Sequence, residues 1–462
     1  MKHRQAVLGS IGAVLALAAS VALGQNVFRG QTSTAGGFST WDADLINVEG
    51  QAQTGRGVYV AVLDTGLVPN WRDYFPQARI ATHLGTGFDQ PISFAAQGDV
   101  CGLGATVGKL SQSTWVGSRA STHGTHVTST ILGYSYRSNS DAAAGYVLPP
   151  IVVRGIAPDV TVIPVRVLAD YHIPARPQCP DPDVQSGFDA TFGTDEMIAA
   201  GIRYVTSLKR AGYSPMVINM SLGGPGLADV EKAAIDEAIA AGVIVVAAAG
   251  NEGEAGMHFP GAYPPVISAG SAGWVREWLF PGAGPRYRMW WLKYNSAPME
   301  PGSGNTPEPT TVDDVYVSDF SSRALAGQEL DVLAPGSWVR GPFPGDPGFN
   351  HLPWWSKGIA DLRGRNAGNF YYVGGTSMAT PHVASVAALM LEKNKALKQS
   401  DVESFLKASA LVLPPVGSRH VFDFDHFADI GWDTDCGGQA CDAVGAGLVQ
   451  ADAALGLIPP GP

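Results

Sequence analysis

Five apolar runs, four of them closed by a small or polar residue, constrain this chain more than any other feature. They are "VYVAVLDTG" (58–66), "VTVIPVRVL" (160–168), "PMVINMSLGG" (215–224), "GVIVVAAAGN" (242–251) and "PVISAGS" (265–271). A strand with one wet face alternates apolar and polar side chains, whereas a strand covered on both faces is apolar throughout. Between the runs lie segments of helical spacing. "TDEMIAAGIRYVTSLKRAG" opens on Thr194 as a cap and closes at Gly212, and "DVEKAAIDEAIAAG" closes at Gly242. Strands and helices in this alternation read as right-handed βαβ units. The expected fold is α/β, with a mostly parallel central sheet flanked by helices. Functional groups of such sheets lie beyond the carboxyl ends of the strands, and Asp64 and Asn251 stand at two of those ends.

The 462 residues would suffice for two or three ordinary domains, yet the strand–helix rhythm runs through most of them. A single domain is expected over 50–457, preceded by an N-terminal extension (25–49) and followed by a short tail (458–462). Three stretches break the rhythm and read as surface insertions, at about 134–150, 273–318 and 341–368. The last two are rich in Pro, Gly and aromatic residues, including Trp354 and Trp355. Their aromatic side chains either cover the core or offer a binding surface.

A formal net charge of -11 argues against a nucleic-acid partner, which requires a basic stripe. The first residues, MKHRQ, precede an uncharged apolar run with small residues near Gly24. This is the pattern of a cleaved secretory signal over 1–24; an uncleaved anchor is the rival, weakened by the many Ala and Gly. Export predicts a secreted protein, extracellular or periplasmic, with no membrane attachment once the signal is removed. In that setting the four cysteines are expected in disulfides. The short spacing of Cys436 and Cys441 favours a local loop, which leaves Cys101 with Cys179.

Three further residues bear on chemistry. His123 lies in "STHGTHVTSTILG", whose later part is helical. Ser377 lies in "GGTSMATPHVA", where two glycines lead into a helix. A serine there is either a cap or a nucleophile whose neighbouring N–H groups point at a developing anion. The chain order Asp64, His123, Ser377 is one of the known orders of the serine-hydrolase triad. A lipase or esterase would instead carry its serine in a GxSxG elbow, and Ser377 lies in "GTSMA".

The local sequences "VAVLDTG", "HGTHV", "GIAPDVTVIPVRVL", "INMSLGG", "AAAGNEG" and "GTSMATPHVA" together resemble those of the subtilisin-like serine proteases, over roughly residues 50–455. The resemblance implies a serine endopeptidase acting on polypeptides as a monomer, with Asp64, His123 and Ser377 as the triad and Asn251 as the oxyanion donor. It implies a substrate strand lying along Ser221, Leu222, Gly223 and Gly224 and along Ala248, Ala249 and Gly250, with His258 at the pocket floor. A silent relative binding partners through its insertions would not need these four residues intact. No cofactor is required for the chemistry. Structural calcium is left open at Asp73, where many relatives place a ligand, and in the acidic run Asp423, Asp425, Asp429, Asp433 and Asp435. Two departures stand out: few residues precede Asp64 where relatives carry a pro-region, and Thr128-Ser129 replace the usual Ala-Gly pair. His126 and His382 are expected to pack rather than to react.

Overall fold

The computed structural model describes residues 27–28, 40–117, 121–136, 151–279, 287–288, 309–343, 356–359, 366–422, 427–459 and 461. The signal segment, Trp354, Trp355, Asp423 and Asp425 fall outside them.

The apolar runs form the middle of a nine-stranded sheet. Its strands are β1 (Tyr59–Asp64), β2 (Thr86–Asp89), β3 (Ser111–Ser113), β4 (Thr161–Arg166), β5 (Met216–Met220), β6 (Ile244–Ala248), β7 (Ile267–Trp274), β8 (Val315–Val317) and β9 (Val332–Pro335). They lie in the order β8-β7-β6-β5-β1-β4-β2-β3, with β9 also beside β7. Every pair is parallel except β7 with β8 and β2 with β3 at the two edges.

The period of two along each strand sends alternate side chains into two cores. Val60 and Val62 of β1 join one, with Val217, Ile244 and Val246. Ala61 and Leu63 join the other, with Ile163, Val165, Ile218 and Val245. The first core is covered by α2 (Ser121–Leu132) and α5 (Thr376–Lys393), through Val127, Ile131, Val383 and Val386. The second is covered by α3 (Asp195–Arg210) and α4 (Asp229–Ala240), through Ile198, Ile202, Val205, Ile235 and Ala238. Helix α3 is capped as its sequence predicts: Thr194 Oγ1 accepts the Met197 N–H at 3.2 Å. Acids occupy its first turn and bases its last, both favourable to the helix dipole.

The expected boundaries differ from the structure at four places. Within the extension 25–49, α1 (Trp41–Leu45) is buried, with Trp41 and Ile46 in the first core. Residues 41–46 therefore pack with the domain they precede. The stretch 273–318 is not wholly an insertion, because Ala272, Gly273 and Trp274 pair with 315–317 in the main sheet. The stretch 341–368 opens with Phe343, also buried in the first core. Ile458, assigned to the tail, is buried as well.

The two ends of the domain meet. Asn47 Nδ2 donates to Gln450 Oε1 at 2.7 Å, and the Ala451 N–H donates to the Ile46 carbonyl at 2.7 Å. Both cysteine pairs form as expected, Cys101–Cys179 and Cys436–Cys441.

Candidate active site

Because the central strands are parallel, their carboxyl ends share one edge. Asp64 ends β1, Ser221 follows β5 and Asn251 follows β6. Ser377 is the second residue of α5, so the helix N-terminus opens on that same edge.

Asp64 is fully buried and acts as an acceptor throughout. Its Oδ1 and Oδ2 lie 2.8 and 3.0 Å from His123 Nδ1, and Oδ1 takes the Thr65 N–H at 2.6 Å. An ionised carboxylate here requires His123 to carry its proton on Nδ1, which leaves Nε2 as the basic nitrogen. Burial alone would push the His123 imidazole down. The charge of Asp64 and the hydrogen bond to it more than offset this, so its pKa is raised above the ordinary 6.5. About a quarter of the His123 side chain (24%) remains open to solvent, enough for a proton to be exchanged with a bound molecule.

Ser377 and Ser221 are cross-linked by their hydroxyls. Ser377 Oγ donates to the Ser221 carbonyl at 3.2 Å, and Ser221 Oγ donates to the Ser377 carbonyl at 2.8 Å. Asn219 Nδ2 donates to Ser221 Oγ at 3.0 Å. Asn251 is pinned by its oxygen: Oδ1 accepts the Thr376 N–H at 2.8 Å and the Thr376 hydroxyl at 3.1 Å. A Cβ built on Gly375 would stand 3.7 Å from both Asn251 Nδ2 and the Ser377 amide nitrogen and 3.8 Å from Asn251 Oδ1, so Gly375 brings the Asn251 amide and the Ser377 N–H to one place. Its backbone (φ 157°, ψ 152°) is a conformation reserved to glycine.

The segments expected to flank a substrate are divided in availability. Gly224 is committed, its N–H and C=O each bonded to Phe259 at 2.8 Å. Ala249 accepts the His258 N–H at 2.8 Å, Gly250 accepts the Ser322 N–H at 3.0 Å, and Ala248 is a core strand residue. Among the described residues, no backbone hydrogen bond engages Leu222 or Gly223. His258 stands beside both rims: a Cβ on Gly223 would lie 3.0 Å from His258 Cβ, and one on Gly250 3.1 Å from it. Its Nε2 faces Glu252 Oε1 at 3.9 Å.

Among the described residues, the candidate metal ligands are not brought together. Asp73 is exposed and accepts from Asn70 Nδ2 at 3.1 Å. Among the described residues it joins no group of three metal-ligating side chains. Asp433 and Asp435 accept local backbone N–H groups of their own turn, and Asp429 pairs with His420. Glu329, Asp331 and Glu403 do converge, but the Lys407 ammonium lies among them, bonded to Glu329, to Asp331 at 3.1 Å and to Glu403 at 3.5 Å. A cation from the protein already balances that cluster.

His126 and His382 both pack. His126 donates through Nε2 to the Val339 carbonyl at 3.0 Å, and His382 lies 3.1 Å from Asp42 Oδ2. That second pair links α1 to the helix carrying Ser377. The sequence reading missed Thr65, Thr376 and Asp42. Thr65 and Thr376 were legible as hydroxyls next to reactive positions, whereas Asp42 carries no local signal.

The profile of the subtilase family matches residues 55–442. Subtilisin of Bacillus pumilus is 30% identical over 298 residues, 63% of this chain and 71% of that protein. Subtilisin E of Bacillus subtilis is 30% identical over the same length, which is 51% of that protein. Fervidolysin of Fervidobacterium pennivorans is 26% identical over 90% of this chain and 43% of its own length. Among solved structures, sphericase superposes with a TM-score of 0.51 at 22% identity, over 91% of this chain and 99% of that one. The profile match takes in the ends of β1, β5 and β6 together with the start of α5, and the chain belongs to the subtilase family of serine-type endopeptidases.

Proposed function

We propose that this chain is an exported endopeptidase that cleaves polypeptides through an acyl-enzyme, with Asp64, His123 and Ser377 as its triad. The observation that carries this reading is the Asp64–His123 pair. A buried carboxylate on Nδ1 makes Nε2 a base on the edge where the Ser377 hydroxyl opens. In the resting protein that hydroxyl rests on the Ser221 carbonyl. Rotation about its Cα–Cβ bond brings it to His123, which takes the proton as Oγ attacks the scissile carbonyl. The carbonyl oxygen becomes an anion, to which Asn251 Nδ2 and the Ser377 N–H donate. His123 then passes its proton to the leaving amine, and water, activated by the same imidazole, releases the acyl group.

The free backbone of Leu222 and Gly223 pairs with an extended substrate as an added strand. The side chain ahead of the scissile bond enters between these residues and Ala248–Gly250, beside His258. Export rests on the signal pattern of 1–24. Among the described residues no helix is long and apolar enough to cross a membrane.

A fluorophosphonate reagent followed by peptide mapping tests the nucleophile, and casein hydrolysis tests the reaction. Label on Ser377, with casein cleavage lost in Ser377→Ala, is the expected pair of results. A folded Ser377→Ala protein that cleaves casein like the parent overturns the reading.

A further inference from the structure

Asn251 stands in a loop whose own chain does little to hold it. Gly250 and Gly253 lie on either side at φ 107° and 56°, conformations that glycine adopts without strain and that leave the backbone pliable. Among the described residues, no backbone hydrogen bond engages Asn251. Its side-chain oxygen is held by Thr376, but a donor that must meet a developing anion at hydrogen-bond distance needs its main chain fixed as well.

The segment 320–323 supplies that support through four bonds. The Gly253 N–H donates to the Phe320 carbonyl at 2.9 Å, the Ser322 N–H to the Gly250 carbonyl at 3.0 Å, and the Arg323 N–H to the Gly253 carbonyl at 2.9 Å. The fourth comes from a side chain: Ser322 Oγ accepts the Glu252 N–H at 2.9 Å. Ser322 is fully buried and so holds both the residue before Asn251 and the residue after it. A Cβ on Gly250 would lie 2.9 Å from Ser322 Oγ, which puts the hydroxyl directly against the loop.

Behind Ser322 the segment is rooted at both ends. It follows the edge strand β8, and Ser321 Oγ accepts the Ser271 N–H of β7 at 2.9 Å. Beyond it, Ala324 and Asp442 exchange N–H to carbonyl bonds of 2.8 and 2.9 Å. Two adjacent serines thus serve opposite partners, Ser321 the sheet and Ser322 the Asn251 loop.

We propose that Ser322 is a positioning residue for Asn251, its hydroxyl setting the loop so that Asn251 Nδ2 meets the oxyanion. The proposal rests on the reading of Asn251 as an oxyanion donor. Without the hydroxyl, the Glu252 N–H loses its acceptor and the loop relaxes to find another. A small displacement of Nδ2 then weakens a bond made only in the transition state, which lowers kcat and leaves KM alone.

The test is a double-mutant cycle read on a peptide substrate. Ser322→Ala should lower kcat by about tenfold with little change in KM, and the inhibition constant of a peptide boronic acid should weaken in step. Ser322→Cys keeps a similar volume but offers a poor acceptor, so it should match Ser322→Ala. In an Asn251→Ala background, Ser322→Ala should cost less than about twofold further, because the donor it places is gone. Parent-like kcat in Ser322→Ala overturns the proposal, as do recovery in Ser322→Cys and an equal loss in both backgrounds. Hydrogen exchange of a peptide covering 249–257 judges the clamp without catalysis: it should quicken in Ser322→Ala, and unchanged exchange overturns the proposal too. Parent-like kcat in Asn251→Ala alone counts instead against the oxyanion reading, and the exchange result still decides whether Ser322 holds the loop.

Discussion

Ser221 and Ser377 hold each other by exchanged hydrogen bonds, each hydroxyl donating to the other residue's carbonyl, at 2.8 and 3.2 Å. The resting place of the Ser377 hydroxyl, the proposed nucleophile, is therefore a carbonyl on the neighbouring strand end. Ser221 itself is held by Asn219, a buried residue of β5. Ser221→Ala removes both the donor to Ser377 and the acceptor for Asn219 Nδ2. Leaving two such groups unpaired costs about 1–3 kcal/mol each. The expected outcome is a lower melting temperature and slower acylation in a single-turnover assay. A variant with unchanged melting and unchanged acylation would show that this exchange holds nothing in place.

The raised pKa of His123 fixes the sign of the acid limb. The base must be neutral, so kcat/KM falls as pH drops through a midpoint above 6.5. Asp64→Asn removes the charge that raises the value and leaves burial, so the midpoint should move down while kcat falls by about 10⁴. Stability runs the other way. A histidine whose folded pKa exceeds its unfolded one contributes fully below pH 6.5 and loses that contribution as pH rises through the folded value. Kinetic pH profiles of the two proteins, with thermal melts at the same pH values, check both signs. An Asp64→Asn profile with an unmoved acid limb refutes the coupling.

The proposed oxyanion role of Asn251 and its observed bond to Thr376 are separated by two substitutions. Asn251→Asp keeps an oxygen for the Thr376 N–H and exchanges the Nδ2 donor for an acceptor. Loss of one oxyanion donor costs about 10²–10³ in kcat, and a carboxylate facing the oxyanion adds repulsion. Asn251→Ala also leaves the Thr376 N–H unpaired, adding about 1–3 kcal/mol of lost stability. Melting temperature should fall for the alanine variant more than for the aspartate one, while kcat falls in both. Comparable kcat in Asn251→Asp and the parent would remove Asn251 from the oxyanion site.

Asp42 tests the link between α1 and the Ser377 helix. Asp42→Ala leaves His382 Nε2 without the partner seen at 3.1 Å, inside the core. The expected loss is about 1–3 kcal/mol, read by chemical denaturation. Asp42→Asn, which keeps an acceptor oxygen, should recover part of it. Equal stability of all three proteins would mean that the pair does not hold the helix.

The sheet was legible because strands buried on both faces leave apolar runs that no other structure requires. Val60 and Ala61 serve opposite cores, yet both are apolar. The edge strand 315–317 was hidden because three residues carry no period and lie beside a Trp- and Pro-rich stretch. Asp64, His123, Ser377 and Asn251 were legible as local motifs, each written in a few consecutive residues. Their partners were not. Asp42 and His382 are 340 positions apart, and nothing near either one reports the other. Glu231 reads in sequence as an ordinary surface acid in a helix, and only packing buries it.

The bond between Asn47 and Gln450 spans 403 positions, which gives it a meaning in time as well as in space. At about 5–20 residues per second, synthesis of the second partner trails the first by about 20–80 s. Helix α1 touches the Ser377 helix on one side, and the turn after it touches the start of α6 (Ala451–Leu457) on the other. The first of these neighbours is made only when residue 382 has been added and the second only at residue 451, so this corner of the domain closes in two steps, the later one when the chain reaches α6.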